Sequence, residues 1–151
     1  MTTQMTARKT IKSRGAGFSL IEILVAMAIV AILAAFAYPS FVQSIRKSKR
    51  TDAHTALTKV ASNLERFFGA NGTYTTDTSQ LGLLIDAGTA YSDASHYVIT
   101  VAAGASGIGS SYIVSASAAS GSIQAGDTGC TNLSLDSLGR RLPSPATSKC
   151  W

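Results

Sequence analysis

The chain has 151 residues with a formal net charge of +5, and only 14% of its residues are charged. This length suits one small domain plus a further segment. Four of the 13 basic residues lie within residues 1–17, so the rest of the chain carries nine basic and eight acidic side chains. Beyond Thr51 the balance is five basic to seven acidic. Charge alone therefore argues against a basic nucleic-acid-binding platform in the carboxy-terminal part.

A nearly uncharged segment runs from Phe18 to Tyr38 and contains one charged residue, Glu22. At 1.5 Å per residue, a helix of about 20 apolar residues spans the roughly 30 Å hydrocarbon core of a bilayer. A carboxylate that stays charged inside such a span costs on the order of 3 kcal/mol or more. Glu22 is therefore a candidate functional residue, and its partner cation must be a new amino terminus or part of another molecule.

Two other interpretations of this segment are a secretory signal peptide and a plain single-pass anchor. The basic residues before it and the Ala-Phe-Ala sequence at 35–37 are also features of a secretory signal peptide. However, the apolar stretch from Ile23 to Tyr38 has no polar side chain before its final tyrosine. It is longer than the apolar region of a secretory signal peptide, which has about 7 to 15 residues. A plain single-pass anchor explains the length but not a Gly-Phe-x-x-x-Glu spacing.

The Gly-Phe-Ser-Leu-Ile-Glu run at residues 17–22, followed by the uncharged span, resembles the amino-terminal signature of type IV pilins. The resemblance implies a cleaved leader over 1–17, with prepilin peptidase cutting between Gly17 and Phe18. It implies N-methylation of Phe18 and a role for Glu22 in assembly, through pairing with the Phe18 ammonium of an adjacent subunit. The resemblance extends to Pro39, which removes a helix hydrogen bond and is expected to bend the helix.

The helix is expected to continue beyond the membrane, because apolar residues recur at three- and four-residue spacing. They are Ala53, Ala56, Leu57, Val60, Ala61, Leu64, Phe67 and Phe68. We predict a transmembrane and assembly helix over 18–40 and a helix packed on a sheet over 41–69, with Gly69 as its stop.

The remaining residues, 70–151, are predicted to form a globular domain. Residues 70–95 are expected to be mostly loop, with a short helical turn, and glycines at 104, 107 and 109 predict a hairpin turn. Alternating apolar residues predict strands. The helical turn is placed at Leu81–Ile85 and the strands at His96–Val101, Tyr112–Ser117, Leu133–Leu135 and Arg141–Pro143. The fold class is α+β and type IV pilin-like: one long helix packed on an antiparallel sheet.

The chain has two cysteines, Cys130 and Cys150. Basic residues flank the span on both sides, so the positive-inside rule does not decide its orientation. An even cysteine pair late in the chain favours an exported domain with a disulfide. We therefore expect a single-pass protein of the bacterial inner membrane with a cytoplasmic amino terminus, and later a place in the pilus at the cell surface.

The segment from Gly126 to Trp151, with its terminal Cys-Trp pair, resembles PilE-type minor pilins. The resemblance implies a structural subunit of type IV pili used for adhesion and twitching motility. The alternatives are a DNA-uptake (competence) pilin and a type II secretion pseudopilin. The implied partners are other pilin subunits, the prepilin peptidase and N-methyltransferase, the inner-membrane assembly machinery and, before assembly, membrane lipids, whereas DNA is not expected.

No enzymatic function is predicted. His54 and His96 stand alone without metal-ligand spacing, and no nucleophile, base and orienting group can be assembled. We therefore expect no catalytic residue, no metal and no cofactor. The basic cluster, defined as Arg46, Lys47, Lys49 and Arg50, is expected to face anionic lipid headgroups or neighbouring subunits.

Overall fold

The computed structural model describes residues 18–142 and 149–151, and the chain divides between Tyr38 and Pro39 into two compact units. The described part of the first unit is the beginning of helix α1, which runs from Leu20 to Asn71. The second unit holds the rest of α1 and every described strand.

Helix α1 ends later than predicted. Gly69 remains helical, although glycine there costs about 1 kcal/mol relative to alanine. The helix stops at Asn71 because Gly72 adopts φ +70°, the left-handed conformation that glycine enters without a steric penalty. The Gly72 N–H still donates to the Phe68 carbonyl at 2.8 Å, which satisfies one of the last carbonyls of the helix. The prediction of Gly69 as the stop is wrong.

The sheet is an antiparallel meander in which each strand pairs with the next along the chain. Its strands are β1 (Leu84–Asp86), β2 (Thr89–Tyr91), β3 (Tyr97–Ala103), β4 (Tyr112–Ala118), β5 (Asn132–Asp136) and β6 (Arg141–Leu142). The central β3–β4 pair is in register from Tyr97 opposite Ala118 to Ala103 opposite Tyr112. Two 3₁₀ turns, Thr78–Leu81 and Ile123–Gly126, complete the described elements.

The core lies between α1 and one face of the sheet. The helix buries Ala53, Ala56, Leu57, Val60 and Leu64, all members of the predicted apolar stripe. Alternate strand residues meet them, because successive side chains of a strand point to opposite faces. These are Tyr97, Ile99 and Val101 of β3, Tyr112, Val114 and Ala116 of β4, and Leu133 of β5. The α+β prediction of one long helix on an antiparallel sheet is confirmed.

The loop-rich prediction for residues 70–95 is partly wrong. Strands β1 and β2 form a hairpin there, closed by Ala87 at φ +46° and Gly88 at φ +79°. Two consecutive residues with positive φ are typical of a two-residue hairpin turn. The Ala-Gly sequence lacks the Asn or Asp by which such a turn is usually recognised in a sequence. The predicted helical turn at Leu81–Ile85 is also wrong, because Asp77 caps a 3₁₀ turn that ends at Leu81 and Gly82 follows at φ +64°.

Strands β3, β4 and β5 coincide closely with the predicted segments, and β6 confirms a strand that pairs back on β5. Pro143, the last residue predicted for that strand, lies outside the described residues. The Gly104–Gly109 segment connects β3 to β4 as a hairpin loop, as predicted. Position 104 of this loop requires glycine, because a Cβ atom there would lie only 2.6 Å from the Ser111 hydroxyl oxygen.

Candidate functional site

The amino-terminal part of α1 is the first candidate site. The Ser19 carbonyl accepts hydrogen bonds from the backbone N–H groups of Glu22 (3.0 Å) and Ile23 (3.2 Å), which begins the helix directly after Phe18. Phe18 is 78% exposed and Glu22 is exposed in the first turn, where a carboxylate suits the positive end of the helix dipole. Gly17 lies outside the described residues.

This part of α1 presents apolar side chains all around its circumference. Within the described residues, α1 is the one helix whose length and composition suffice to cross a membrane. Its exposed large apolar side chains are Leu20, Ile21, Ile23, Leu24, Val25, Met27, Ile29, Val30, Ile32, Leu33, Phe36, Tyr38 and Phe41. A helix that is apolar on every side requires lipid or other protein around it. Pro39 lies within α1, and the bend expected from it stays a prediction.

Most of the basic cluster contacts the globular domain, which differs from the prediction. Arg50 makes a bidentate contact with Asp127, with Nε at 2.7 Å from Oδ2 and Nη2 at 2.8 Å from Oδ1. Both side chains are nearly buried, at 11% and 2% exposure. Arg50 also donates to the Lys149 carbonyl, and the Asp127 contact raises the pKa of its guanidinium. This ion pair joins α1 to the segment before Cys130.

Two further members of the basic cluster contact the globular domain. Arg46 Nε donates to the Ile123 carbonyl at 3.2 Å, and Lys49 Nζ lies 2.9 Å from His96 Nε2. Lys47 is exposed. The prediction that the cluster as a whole faces lipid or neighbouring subunits is therefore wrong for Arg50, Arg46 and Lys49, whose charged ends bind the domain's own loops.

The carboxy terminus is fastened to α1. Cys130 and Cys150 form the expected disulfide, with Cα atoms 5.4 Å apart. The Trp151 ring stacks on the His54 imidazole with centroids 4.7 Å apart and planes 5° from parallel. His54 Nε2 lies 3.0 Å from the Cys150 carbonyl, and the Arg141 guanidinium covers the indole at 5.2 Å. His54 thus holds the chain end rather than a ligand.

A tyrosine cluster surrounds Glu65 on α1. The Tyr112 hydroxyl donates to Glu65 Oε1 at 3.2 Å, and the Tyr74 hydroxyl donates to both carboxylate oxygens at 3.2 and 3.3 Å. Burial of Tyr112 raises the pKa of its phenol, and the adjacent Glu65 charge raises it further. The cluster ties the loop after α1 to strand β4.

The turn between β5 and β6 is organised by Asp136. Its Oδ1 accepts from the backbone N–H groups of Leu138 (3.0 Å) and Arg140 (2.8 Å), and its Oδ2 accepts from Arg140 Nε at 2.6 Å. Burial opposes ionisation of Asp136, but the hydrogen bonds from Arg140 and Leu138 outweigh it and hold the carboxyl pKa below its ordinary value. The turn is thus held by three hydrogen bonds to the side chain of Asp136, which is ionised at neutral pH.

Metal-ligating side chains do not cluster in the part of the chain that the structure describes. No group of three or more His, Cys, Asp or Glu side chains lies close enough there to hold a metal ion. His54 stacks on Trp151, and His96 lies against Lys49.

Sequence reasoning placed a turn at Leu138-Gly139-Arg140, but it missed the part that Asp136 plays in that turn, the Arg50–Asp127 pair and the Glu65 cluster. Residues 50 and 127 are 77 positions apart, so no local spacing connects them. The Asp136 turn did carry a signal, since an aspartate three residues before a glycine often accepts hydrogen bonds within a turn. Gly139, at φ +73°, is that glycine.

Two protein families match this chain in adjoining segments. Residues 39–134 match the family described as "Type IV minor pilin ComP, DNA uptake sequence receptor". Residues 12–38 match the "Prokaryotic N-terminal methylation motif". These two matches meet at the boundary between the two structural units.

One relative is the "Type IV major pilin protein PilA" of Myxococcus xanthus (strain DK1622), which is 33% identical over 91 residues. That match covers 60% of this chain and 40% of the relative, so the chain matches less than half of the relative's length. Among solved structures, a type IV pilin from Shewanella oneidensis has a TM-score of 0.48 and 24% sequence identity. That match covers 70% of this chain and 97% of the pilin.

Proposed function

The chain belongs to the type IV minor pilin family, and on that premise we propose that it is a minor structural subunit of type IV pili used for surface attachment and twitching motility. One observation carries the proposal. The amino-terminal part of α1 is apolar on all sides and exposed, with Glu22 as its single charged residue. Such a helix suits lipid before assembly and the helices of other subunits after it.

Processing is the first step of the proposed pathway. Prepilin peptidase removes residues 1–17, and N-methylation of Phe18 follows. The match of residues 12–38 to the methylation motif supports this step, and Phe18 is exposed immediately before the helix. The new terminus supplies the cation that Glu22 lacks within the span.

Mass analysis of the protein isolated from pili tests the processing step. We expect a mature chain that begins at Phe18 and carries one added methyl group on its amino nitrogen. A mature chain beginning at Tyr38, as cleavage after Ala-Phe-Ala would produce, would contradict the proposal. Blocking the peptidase should leave in the membrane fraction a chain that still carries the residues before Phe18.

Membrane placement follows from the same helix. We propose a single-pass protein of the bacterial inner membrane with a cytoplasmic amino terminus and an exported carboxy-terminal domain. The Cys130–Cys150 disulfide supports the exported side, because disulfides persist in oxidising compartments. The assembly machinery of that membrane then transfers the subunit into the filament.

DNA uptake is the second candidate function, and one observation favours it. The matched family, over residues 39–134, is described as a DNA uptake sequence receptor. A DNA receptor requires an exposed cationic surface that neutralises several phosphates of the duplex. Micromolar binding of duplex DNA with steep salt dependence would favour this function over attachment and motility.

A further inference from the structure

Strands β2 and β3 pair at one position only, with Tyr91 opposite Val98. The neighbouring pair, β3 and β4, stays in register over all seven residues of each strand. Strand β2 therefore leaves β3 after a single bridge, and no described strand lies beside the rest of that edge of β3. A strand edge without a partner presents unpaired backbone N–H and C=O groups.

The direction of the backbone groups along β3 identifies which of them are free. The Gly104 N–H donates to the Ser111 carbonyl at 3.0 Å, so the backbone of Gly104 faces β4. The Tyr97 carbonyl accepts from the Ser92 N–H at 2.9 Å and faces the β2 side. Because backbone groups alternate in direction along a strand, those of Val101 face the β2 side too. No loop residue in the described part of the chain hydrogen-bonds to them.

A groove of about 420 Å³ lies against this part of β3. Its volume is within the range of about 300 to 1,000 Å³ that is typical of ligand sites. The walls are formed by β3, by the end of the β1–β2 hairpin and by the segment at the first 3₁₀ turn, and they carry four threonines: Thr76, Thr78, Thr89 and Thr100. None of these four hydroxyls makes a hydrogen bond within the described residues.

The free groups of this groove match the needs of an extended peptide. Val101 offers one N–H donor and one C=O acceptor, and each threonine hydroxyl both donates and accepts. A peptide that lies beside β3 as an added strand satisfies the backbone groups of Val101. Thr100 and Ala102, both exposed, would flank the side chains of that strand. Small neutral side chains fit there, since none of the described residues that line the groove is charged.

Two carboxylates adjoin the groove. Asp77 lies in one wall, between two of the threonines, and hydrogen bonds from Ser79 and Gln80 hold the pKa of its carboxyl below the usual range. Asp86 is opposite Thr89 in the β1–β2 hairpin. Neither carboxylate forms a salt bridge within the described residues. The charge next to the groove is therefore negative, which favours a peptide that carries a cationic side chain.

We propose that the free edge of β3 binds an extended segment of another protein as an added strand, and that this segment carries small neutral side chains and a Lys or Arg. Backbone hydrogen bonds to Val101 hold the segment, and Asp77 and Asp86 select its cation. The inference goes beyond filament assembly, because it gives the subunit a partner outside the filament. Binding is measured on the unassembled protein, so its failure is separate from a failure of the proposed function.

Amide NMR on the isotope-labelled mature protein in detergent micelles tests the site. The probes are blocked pentapeptides in which Thr and Val alternate, with Lys at one end or the other, and counterparts with Glu in place of Lys. We expect a Lys probe to bind with a dissociation constant of about 1 mM, to shift the Val101 amide signal and to slow exchange of its N–H with water. No change at Val101 with any Lys probe, or tighter binding of a Glu counterpart, would overturn the proposal.

Thr76→Trp locates the binding, because the larger side chain fills the groove. Thr76 is exposed, so the substitution leaves the core intact, and it should weaken binding of the Lys probe about tenfold. Thr131→Trp is the matched control, since Thr131 is another exposed threonine, located before β5 and outside the groove. Unchanged amide spectra away from the substituted position show that each variant is folded. Equal affinity of the two variants for the probe would contradict the assignment.

Asp77→Asn combined with Asp86→Asn tests the selection of the cation. Asparagine retains the side-chain oxygen with which residue 77 caps the 3₁₀ turn, so the turn is preserved. We expect the wild type to prefer the Lys probe about threefold over a probe with Ser in place of Lys at low salt. The double variant should bind both probes equally. An undiminished preference in the double variant would refute the role of these carboxylates.

A second copy of this chain is the other strand donor to be distinguished. Exchange of the Val101 N–H with water is measured without peptide at two protein concentrations. Exchange that is independent of concentration supports a separate peptide as the ligand. Slower exchange at the higher concentration would assign the edge to a second copy and overturn the proposal.

Discussion

At the scale of single residues, we propose that the charge of Glu22 specifies assembly. A carboxylate in an apolar helix is costly when unpaired, and breaking a buried ion pair leaves the remaining charge uncompensated. If the partner is the Phe18 ammonium of an adjacent subunit, an axial error of one helical turn leaves both charges without partners. Glu22 lies in the first turn of α1, close in sequence to Phe18, which is the proposed mature terminus, and within the apolar surface that subunits would share.

We expect Glu22→Ala to insert into the membrane at least as well as the wild type and to be lost from filaments. The substitution removes the charge that opposes insertion, but it also removes the partner of the Phe18 ammonium. Membrane fractionation and quantification of the subunit in sheared pili measure the two effects separately. Ser19→Ala, a neutral change nearby, is the control and should enter filaments normally. Wild-type amounts of Glu22→Ala in sheared pili would refute the pairing role.

The raised pKa of Tyr112 leads us to predict that the free energy of unfolding falls at alkaline pH. Burial and the Glu65 charge raise its pKa in the folded protein, while in the unfolded chain it titrates near the ordinary value of 10.0. Above about pH 10 the unfolded chain therefore loses the phenol proton first, so the free energy of unfolding falls as pH rises. The loss approaches about 1.4 kcal/mol per pH unit for this group. Below pH 10 its stabilising contribution is complete.

Tyr112→Phe should make that alkaline decline shallower, with a remaining decline from Tyr97, whose pKa burial also raises. The variant loses the hydrogen bond to Glu65, which costs about 1 kcal/mol at neutral pH, but it has no phenol proton to lose at position 112. Urea unfolding of the mature protein in micelles, followed by the fluorescence of Trp151, measures both effects at pH 8 and pH 10.5. An identical decline in the wild type and the variant would show that Tyr112 is not the source.

At the scale of elements, long-range contacts fasten the carboxy-terminal segment to α1. The bidentate Arg50–Asp127 pair and the stack of Trp151 on His54 both attach to successive turns of the helix. A Cβ atom on Gly126 would lie 2.4 Å from Arg46 Nη2, so glycine at this position leaves the space that the Arg46 side chain occupies. The disulfide holds the same segment covalently. Helix and loop therefore form one structural unit around Cys130.

Cys130→Ser should lower the free energy of unfolding by about 3 kcal/mol, because the disulfide closes a loop with a sequence separation of 20. The helix should remain, since its buried stripe packs on β3 and β4 independently of the disulfide. Circular dichroism at the helix band and Trp151 fluorescence separate the two outcomes. Reduction of the wild-type protein is the matched control and should reproduce the destabilisation. Complete loss of helicity would contradict this independence.

At the scale of the whole molecule, the excess of basic residues lies before Thr51, and the rest of the chain is slightly acidic. Beyond Thr51 there are five basic and seven acidic residues, and salt bridges already join Lys59 to Asp93 and Arg140 to Asp136. A protein that neutralises few phosphates releases few counterions and binds DNA weakly. The charge distribution thus opposes DNA binding, whereas the family match favours it.

We expect the mature protein to bind duplex DNA with a dissociation constant of about 10⁻⁴ M or weaker at physiological salt. Arg140, Arg141 and Lys149 are the cations near the disulfide loop, and three phosphate contacts give a salt slope of about −3 at most. Fluorescence anisotropy in a nonionic detergent at two salt concentrations measures both quantities. Micromolar affinity with a steeper slope would instead support the DNA-uptake function.

The elements that could be predicted are those whose signals are local. The apolar span, the stripe from Ala53 to Leu64 and the alternation in β3 to β5 each extend over consecutive residues, so composition and spacing reveal them. The β1–β2 hairpin was missed because its turn is Ala87-Gly88, and a β-strand of three residues is too short to show alternation. The resemblance at residues 17–22 likewise depends on adjacent residues alone.

The sequence by itself determined the membrane-length helix, its single carboxylate, the cysteine pair and the class of fold. Only the tertiary structure decided which distant charges pair. The sequence therefore predicted lipid headgroups or neighbouring subunits as partners of the basic cluster, whereas most of the cluster binds the domain's own loops. The tertiary structure also decided that Tyr112 shares Glu65 with Tyr74, and that a groove lies beside Val101 where β2 leaves β3. The physical reason is that helix and strand patterns arise from neighbouring residues, whereas ion pairs and cavities depend on where the sheet brings remote segments together.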